Sequence, residues 1–536
     1  MVVTTPDKKG TPSPSVRLSG WGPTSSDAQV AVSPDYVLVF NNWEYTFYQR
    51  STHQPLTGSC PPMSGAFTDL FSPLLVNKTP SGGHNDADVN FIVPSSPLAC
   101  HPANPAECPG ACVNEAYDAR ATYHDGRFWI MVGARNQLLK SGGKKACAAD
   151  PANSPQARRY IFLAVSKTSD PRQGFWEYGL AEHYADWPIF SVNDNHLVLA
   201  DGWSGPDNPR KVLVYKTSLL KSGSHQDPYL GHAEDSSFAD GQPTLLPVRQ
   251  HDEANGYTLL TTFGGNHLTI YAFRDGSGDI AKHWTKRTIT LEEAPSITMQ
   301  PVERDSMIYL AHEYPAAGKP ARSGIALERI RLSLPDKAAN ITAGAFLTVR
   351  FSDDDHTLVV PGVEVNSDGV VLAWYDRYSV GSHHTAPEAR YRALYPEERQ
   401  FRDSALLHSG GAWPAKIEDY NEALDLPGGV IDPGDSRDFW IAHAYNESTG
   451  TFQAVARVHP GCGPLDECGD HCVSTLSSEN NCGACGNVCP EGQGCLSGKC
   501  YRPCKCGVGF DVRAETCEHV CRAHDQPPGV RPPVHD

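Results

Sequence analysis

Short apolar segments alternate with polar turns along most of the chain. The clearest example is the segment 118–133, in which an apolar strand, Arg127–Gly133, follows a first strand. Asp125-Gly126 stands between the two, and this pair predicts a tight hairpin because glycine supplies the positive φ that such turns need. The segment is therefore predicted to form a β-hairpin.

The same kind of unit recurs at intervals of roughly sixty residues. Each copy contains short apolar or alternating runs separated by Gly, Asn, Asp, Ser or Pro, which is typical of strands and turns. Helical periodicity of useful length is nearly absent. The recurrent units are 29–50, 118–178, 186–215, 257–273, 306–334, 357–378 and 437–458.

A series of short strands this long needs a closed arrangement, because an open sheet would leave its edges exposed. We therefore predict an all-β fold, a β-propeller over residues 26–460. Seven units can be counted, and six blades are the alternative count. Tandem β-sandwiches are a rival architecture, although no linker-like break interrupts this region.

Several motifs in this region suggest a family. The region resembles secreted propellers related to the sialidase-like superfamily, many of which have no assigned activity. Sialidase activity is not carried over, because no blade contains a Ser-x-Asp-x-Gly-x-Thr-Trp box. The motifs that carry the resemblance are Asp118-x-Arg120, Asp125-Gly-Arg-Phe-Trp129, Ala164-Val-Ser-Lys-Thr-Ser-Asp-Pro171, Trp176-x-Tyr178, Asp186-Trp-Pro188, Val192-Asn193 and Asp435-Ser-Arg-Asp-Phe-Trp440.

Cysteine is concentrated at the carboxy-terminal end, where twelve residues lie between Cys462 and Cys521. This density predicts a disulfide framework and therefore an oxidising compartment. We expect a secreted protein whose signal peptide is absent from this sequence. Five more cysteines lie in the first 150 residues, which leaves one of them odd. The predicted bridge residues are Cys462, Cys468, Cys472, Cys482, Cys485, Cys489, Cys495, Cys500, Cys504, Cys506, Cys517 and Cys521.

The segment 472–500, with its Asn-Asn-Cys-Gly-x-Cys-Gly core at 480–486, is similar to the cysteine-rich modules of the stigma-specific-protein family. That resemblance implies a small module appended to a secreted protein. Zinc at Cys482-x₂-Cys485 is disfavoured, since no second Cys-x₂-Cys or paired His follows at finger spacing. The predicted organisation is a flexible leader at 1–25, the propeller at 26–460, the cysteine-rich module at 461–521 and a disordered tail at 522–536.

Charge and hydropathy restrict the partners. The chain has 45 basic and 62 acidic residues, a formal net charge of −17, which argues against nucleic acid because phosphate binding needs a basic surface. No apolar run approaches the roughly 18 residues of a membrane span. The expected partner is an extracellular polysaccharide or glycoconjugate.

A calcium site is one interpretation of an acidic segment near the amino terminus. Asp86, Asp88 and Asn90 alternate along this segment, and their oxygens suit calcium if the backbone curls around an ion. A solvated acidic loop is the alternative. The glycine usual in calcium loops is missing, because Phe91 follows Asn90.

Propeller ligands bind at the mouth of the central channel, so polar residues at strand ends are the candidates. The block 374–392 is dense in aromatic, cationic and His groups and is the strongest candidate. The predicted catalytic residues are His312, Tyr375, Asp376, Arg377, His383 and His384. The predicted ligand-binding residues are Asp118, Arg120, Asp194, His196, His267, Arg437 and Asp438.

Two glycan-cleaving mechanisms remain open at this stage. A glycoside hydrolase needs two carboxyl groups across the bond, drawn from Asp86, Asp118, Asp376 and Asp438. A polysaccharide lyase needs a cation and a proton acceptor, and His383, His384, Tyr375 and Arg377 fit those roles. The alternatives are a non-catalytic lectin-like or adhesion protein and, second, a metal-dependent small-molecule enzyme.

Overall fold

The described residues form two compact units that divide between His459 and Pro460. A computed structural model describes residues 28–58, 62–71, 115–135, 159–182, 186–203, 212–224, 226, 228–233, 245–251, 256–274, 284–295, 300–316, 322–333, 342–379, 388–396, 398–409, 428–447, 450–462, 466–468, 471–501, 504–506 and 510–512. The predicted leader, the predicted tail and all five early cysteines lie outside these residues.

The first unit is a seven-bladed β-propeller, which confirms the predicted fold class and excludes tandem sandwiches. In blades 1, 2, 3 and 6, successive strands pair antiparallel. Blades 1 to 3 contain β1–β4 (Gln29–Val32, Tyr36–Phe40, Glu44–Gln49, Ser64–Ala66), β5–β8 (Glu115–His124, Arg127–Arg135, Arg159–Ser166, Phe175–Glu182) and β9–β12 (Asp186–Val192, His196–Trp203, Val212–Lys216, Tyr229–Ala233).

Blade 5 has two short inner strands, β14 and β18, which pair parallel. Blade 4 contains β13 (Leu245–Pro247) and β15–β17 (Tyr257–Gly264, His267–Arg274, Trp284–Thr290), and blade 5 contains β14 (Arg249–Gln250) and β18–β21 (Val302–Arg304, Met307–Pro315, Ser323–Ser333, Thr342–Phe351). Blades 6 and 7 contain β22–β25 (His356–Val365, Val371–Ser379, Glu388–Leu394, Ala405–Ser409) and β26–β28 (Gly428–Asp432, Asp435–Glu447, Gly450–Val458). The helices are α1 (Phe67–Leu70) and α2 (Thr217–Ser222).

Alternate residues of one strand pack into different interblade cores. In β6, Phe128 and Ile130 pack with blade 1, whereas Trp129 and Met131 pack with blade 3. Side chains on a strand alternate in direction, so a strand buried on both faces becomes a continuous apolar run. This two-sided burial explains why the apolar segments of the sequence lack a polar face.

The ring closes between blades 7 and 1. The Gly428 N–H of β26 donates to the Ala28 carbonyl beside β1, at 2.8 Å. The Arg50 guanidinium of blade 1 bonds the carboxylate of Asp432 in blade 7 at 2.5 Å, and Asp432 is fully buried. A hydrogen bond from the Trp440 indole N–H also reaches Asp432, at 3.0 Å. These bonds connect blade 7 to blade 1, so neither end of the row of blades is left without a neighbour.

The predicted hairpin at Asp125-Gly126 is confirmed. Asp125 has φ 45° and Gly126 has φ 71°, the left-handed conformation at both central positions that the favoured two-residue hairpin requires. His124 pairs directly with Arg127 across the turn.

The second unit contains three small hairpins, and described disulfides hold the first two, which confirms a disulfide-rich segment at the carboxy-terminal end. The described bridges are Cys468–Cys485, Cys482–Cys495 and Cys489–Cys500, and Cys462 is also disulfide-bonded. Cys482 and Cys485 therefore belong to different bridges and do not form a zinc-binding thiolate pair. Bridges at Cys472, Cys504, Cys506, Cys517 and Cys521 stay a prediction. The hairpin strands are β29–β34 (Asp466–Cys468, His471–Val473, Gly494–Leu496, Lys499–Tyr501, Cys504–Cys506, Phe510–Val512).

No helix in the described parts of the chain is long and apolar enough to cross a membrane.

The Trp374 ring of blade 6 lies against the backbones of two glycines on inner strands. A Cβ added to Gly362 or Gly429 would overlap the Trp374 indole ring. Close approach of the ring to the backbone therefore requires glycine at these positions.

We expect Gly362→Ala to lower the free energy of unfolding by roughly 1–3 kcal/mol or more, because the rigid indole has little space to move. Urea denaturation would measure the change. Gly344→Ala on the outer strand β21 is the matched control, since a Cβ there meets nothing within 4 Å. Equal stability of the two variants would contradict this account of the packing.

Candidate functional site

A cavity of about 70 Å³ lies in the central channel, several times the space that one water molecule needs. It is lined by segments of the inner strands and their neighbours, so the closed ring creates it. The polar or aromatic side chains that line it are Gln29, Arg120, Thr122, Phe190, Ser191, Arg249, Gln300 and Trp374.

The lining of this cavity is cationic in a strongly acidic chain. Arg120 and Arg249 both line it, and none of the described lining residues is acidic. Cationic groups in a concave, poorly solvated site focus the electrostatic potential there. The cavity is therefore suited to an anionic group.

Arg120 follows a β-bulge in the inner strand of blade 2. The register of β5 shifts between Tyr117 and Arg120, and Asp118 adopts a φ of 49°, which is unusual for a non-glycine residue. The Asp118 N–H donates to the Asn42 side-chain oxygen of blade 1 at 3.1 Å. A bulge changes the direction of the side chains that follow it, and here the side chain that follows, Arg120, lines the cavity.

Arg249 belongs to a buried ion-pair cluster at the channel wall. Its Nη1 donates to Glu364 Oε2 at 2.7 Å and to the Gly429 carbonyl at 2.6 Å. The second carboxylate oxygen, Oε1, lies 2.7 Å from His251 Nε2. The Glu364 side chain is fully buried, whereas Arg249 and His251 keep 25% and 19% of their side chains exposed. The cluster therefore exposes donor and imidazole groups and buries the acid behind them.

Glu364 is held in its ionised form. Burial opposes ionisation, but His251 and Arg249 outweigh it and lower the pKa of Glu364 from 4.5 to about 2. An ionised carboxylate accepts hydrogen bonds only, so Nε2 of His251 must carry a proton in this contact. In the neutral imidazole, Nδ1 is then the basic nitrogen, and no residue within the described ranges bonds it.

The structure separates three adjacent residues that were predicted to act together. Tyr375, Asp376 and Arg377 alternate along β23, so Tyr375 packs towards blade 5 and Asp376 towards blade 7. The pleat of the strand is the physical reason. Tyr375 and Asp376 are buried within the blades, and His383 and His384 lie outside the described residues.

Each of the three has its own partners. The Tyr375 hydroxyl accepts a bond from Arg392 Nε at 3.3 Å, and Asp376 pairs with His443. Arg377 bonds Asp353 at 3.0 Å and Glu388 at 2.7 Å, in a network that His356 and Arg390 extend. These contacts hold blade 6 together.

The predicted histidines are also dispersed. His312 is buried in blade 5 and its Nε2 lies 3.3 Å from Glu328. His196 is buried between blades 3 and 4, with Nδ1 3.1 Å from the Thr258 hydroxyl. His267 is exposed at the start of β16. None of the three lines the channel cavity.

Three more predicted residues lie near turns between the first and second strands of blades 3 and 7. Asp194 is 52% exposed and lies 3.3 Å from His124 Nε2. Arg437 lies 3.3 Å from Asp435, while Asp438 bonds Arg457 at 2.6 Å and pairs with His459.

The carboxylates proposed for hydrolysis belong to different blades. Asp118 lies in blade 2, Asp376 of blade 6 pairs with His443, and Asp438 bonds Arg457 within blade 7. Asp86, which completed that set, lies outside the described residues, as do the other calcium candidates Asp88 and Asn90. Among the predicted residues that the structure describes, Arg120 alone lines the cavity.

Sequence reasoning missed Arg249, His251 and Glu364. A signal was present for one of them, because Val363-Glu364-Val365 places an acid inside an apolar strand. A buried acid requires a partner, but the sequence does not indicate which residue supplies it.

Comparisons with known proteins do not assign a family. No protein-family model and no curated protein matches the chain. It is similar to Drosophila Plexin A in complex with Semaphorin 1b, with a TM-score of 0.36 and 10% identity over 84% of this chain and 88% of that one. It is also similar to a glycosyl hydrolase from Bacteroides ovatus, with a TM-score of 0.27 and 13% identity over 56% of this chain and 90% of that one. A third similar structure is an α-L-arabinofuranosidase from Fusarium graminearum, with a TM-score of 0.27 and 11% identity over 50% of this chain and 92% of that one. Likeness this weak carries no argument about function.

We expect Glu364→Gln to lower the free energy of unfolding at neutral pH by about 3 kcal/mol, because the change breaks a buried ion pair. The deficit should narrow as the pH falls from 4.5 towards about 2, since wild-type Glu364 loses the same ion pairs on protonation. Urea denaturation across this pH range measures both effects.

Glu292→Gln is the control, because Glu292 is 68% exposed in its contact with Arg350. Exposed pairs contribute no more than about 1 kcal/mol. A Glu364→Gln deficit that stays constant down to the lowest pH would contradict an ionised Glu364.

Proposed function

We propose that this protein binds an acidic extracellular glycan and that an anionic substituent of the glycan enters the channel cavity. The observation that carries this proposal is the pair Arg120 and Arg249, which line a cavity whose described lining contains no acid. Guanidinium groups present planar, paired donors that match carboxylate and sulfate oxygens.

The neutral residues of the lining support the same ligand class. Gln29 adds an amide group, and Trp374 adds an aromatic surface. Mixed apolar and polar linings with few charged groups are typical of small-ligand sites.

The disulfide-rich second unit supports an extracellular setting, because such bridges persist in oxidising compartments. A polysaccharide or glycoconjugate outside the cell is therefore the proposed partner.

Binding is better supported than glycoside hydrolysis. A hydrolase needs one carboxyl group held protonated to donate to the leaving oxygen. Glu364, the carboxylate bonded to the cavity residue Arg249, has a lowered pKa and is ionised near neutral pH. It therefore does not serve as that acid, and the protein is proposed to act in the first place as a lectin-like module.

We expect wild-type protein to bind polygalacturonate, alginate or a sulfated glycan and not neutral dextran. Arg120→Ala should weaken that binding at least tenfold, because a charged hydrogen bond is worth about 1.5–3 kcal/mol. Isothermal titration calorimetry against this panel would measure the affinities.

Arg287→Ala is the matched control, since Arg287 is an exposed arginine on the outer strand β17. Equal binding of neutral and acidic glycans would overturn the proposal. Unchanged affinity in Arg120→Ala would exclude the channel as the site.

A further inference from the structure

We infer that His251, positioned by Glu364 beside Arg249, is a general base that cleaves a bound uronic acid chain by β-elimination. This inference rests on the proposed binding of an acidic glycan and adds a reaction to it. The residues differ from those that sequence patterns suggested for a lyase. They come from blades 5 and 6, and Arg249 and His251 converge on the carboxylate of Glu364.

The contact with Glu364 determines the tautomer and the orientation of the His251 ring. Its Nε2–H donates to a buried, ionised carboxylate at 2.7 Å, which fixes the tautomer and the ring orientation. The basic Nδ1 has no bond to a described residue, and 19% of the side chain is exposed. A histidine oriented in this way by a buried acid is the usual arrangement of a catalytic proton acceptor.

His251 also lies close to Arg249 at the wall of the channel. Arg249 and His251 are two residues apart on an extended segment, so their side chains leave the same face of it. Both contact the same carboxylate, Glu364, through different oxygens. The imidazole therefore lies beside Arg249 at the channel wall, although His251 is not itself one of the residues that line the cavity.

Elimination requires one set of groups to neutralise the carboxylate and another group to accept the proton. Arg249 and Arg120 neutralise the uronate carboxylate, which makes the neighbouring C5 proton more acidic. His251 accepts that proton, and Glu364 stabilises the imidazolium that forms. Glu364 is a positioning residue, because it is fully buried and acts through His251.

The step is balanced without any co-reactant. His251 Nδ1 takes the C5 proton, the C–H electron pair forms the C4=C5 double bond, and the C4–O bond breaks. The departing oxygen carries the electron pair of that bond and receives a proton from the imidazolium. One chain becomes two, one with a new reducing end and one with an unsaturated uronate, and nothing is oxidised or reduced.

The test incubates the full-length protein with polygalacturonate and with alginate, and with dextran as the neutral substrate. The expected result is a simultaneous rise in reducing ends and in ultraviolet absorbance with one acidic substrate. His251→Ala should lower the rate at least 100-fold, the low end of what a positioned general base contributes. Added imidazole should restore part of the lost rate, which a purely structural role of His251 would not allow.

His53→Asn is the matched control for loss of an imidazole. His53 lies on a turn in blade 1 with φ 57°, a conformation that asparagine tolerates, so this variant should retain full activity. Circular dichroism and calorimetric binding of the acidic substrate show whether His251→Ala remains folded and competent to bind.

Each outcome decides between the two proposals. Binding of acidic glycans without any unsaturated product overturns the elimination and leaves the proposed binding function intact. Absence of binding overturns the binding function itself. Reducing ends without absorbance mean hydrolysis and overturn the elimination, as does full activity in a folded His251→Ala variant.

Discussion

The structure depends on the burial of each blade on both faces. A sheet that is apolar on both sides is stable only between two neighbours, so a linear row of such blades would leave two apolar faces in water. Closing the row into a ring removes both. The Arg50–Asp432 ion pair and the Gly428–Ala28 hydrogen bond join the ends of the described propeller. The packing of the other blades depends on this closure.

The same closure creates the channel and decides which groups line it. Apolar side chains are buried between neighbouring blades, where they form seven interblade cores. Polar residues on inner strands are left to face the centre. Here the result is a lining with two arginines and no described acid, while Glu364 lies behind it as their counter-charge.

Strand geometry also determines which polar residues meet. Neighbours in sequence, such as Tyr375 and Asp376, point to opposite faces of one strand and join different cores. In contrast, His251 and Glu364 are 113 positions apart, yet their side chains bond each other. Density of chemical groups along the sequence is therefore a poor guide to a site in a propeller.

The sequence by itself determined the local features of this protein: short strands from apolar runs, the Asp125-Gly126 turn, seven repeated units and a disulfide-rich carboxy-terminal segment. These follow from interactions between residues close in the chain and from composition. Only the tertiary structure decided the partners of each cysteine, the face to which each strand residue points and the Arg249–Glu364–His251 cluster. The reason is that these depend on closing the ring, which joins residues from different blades.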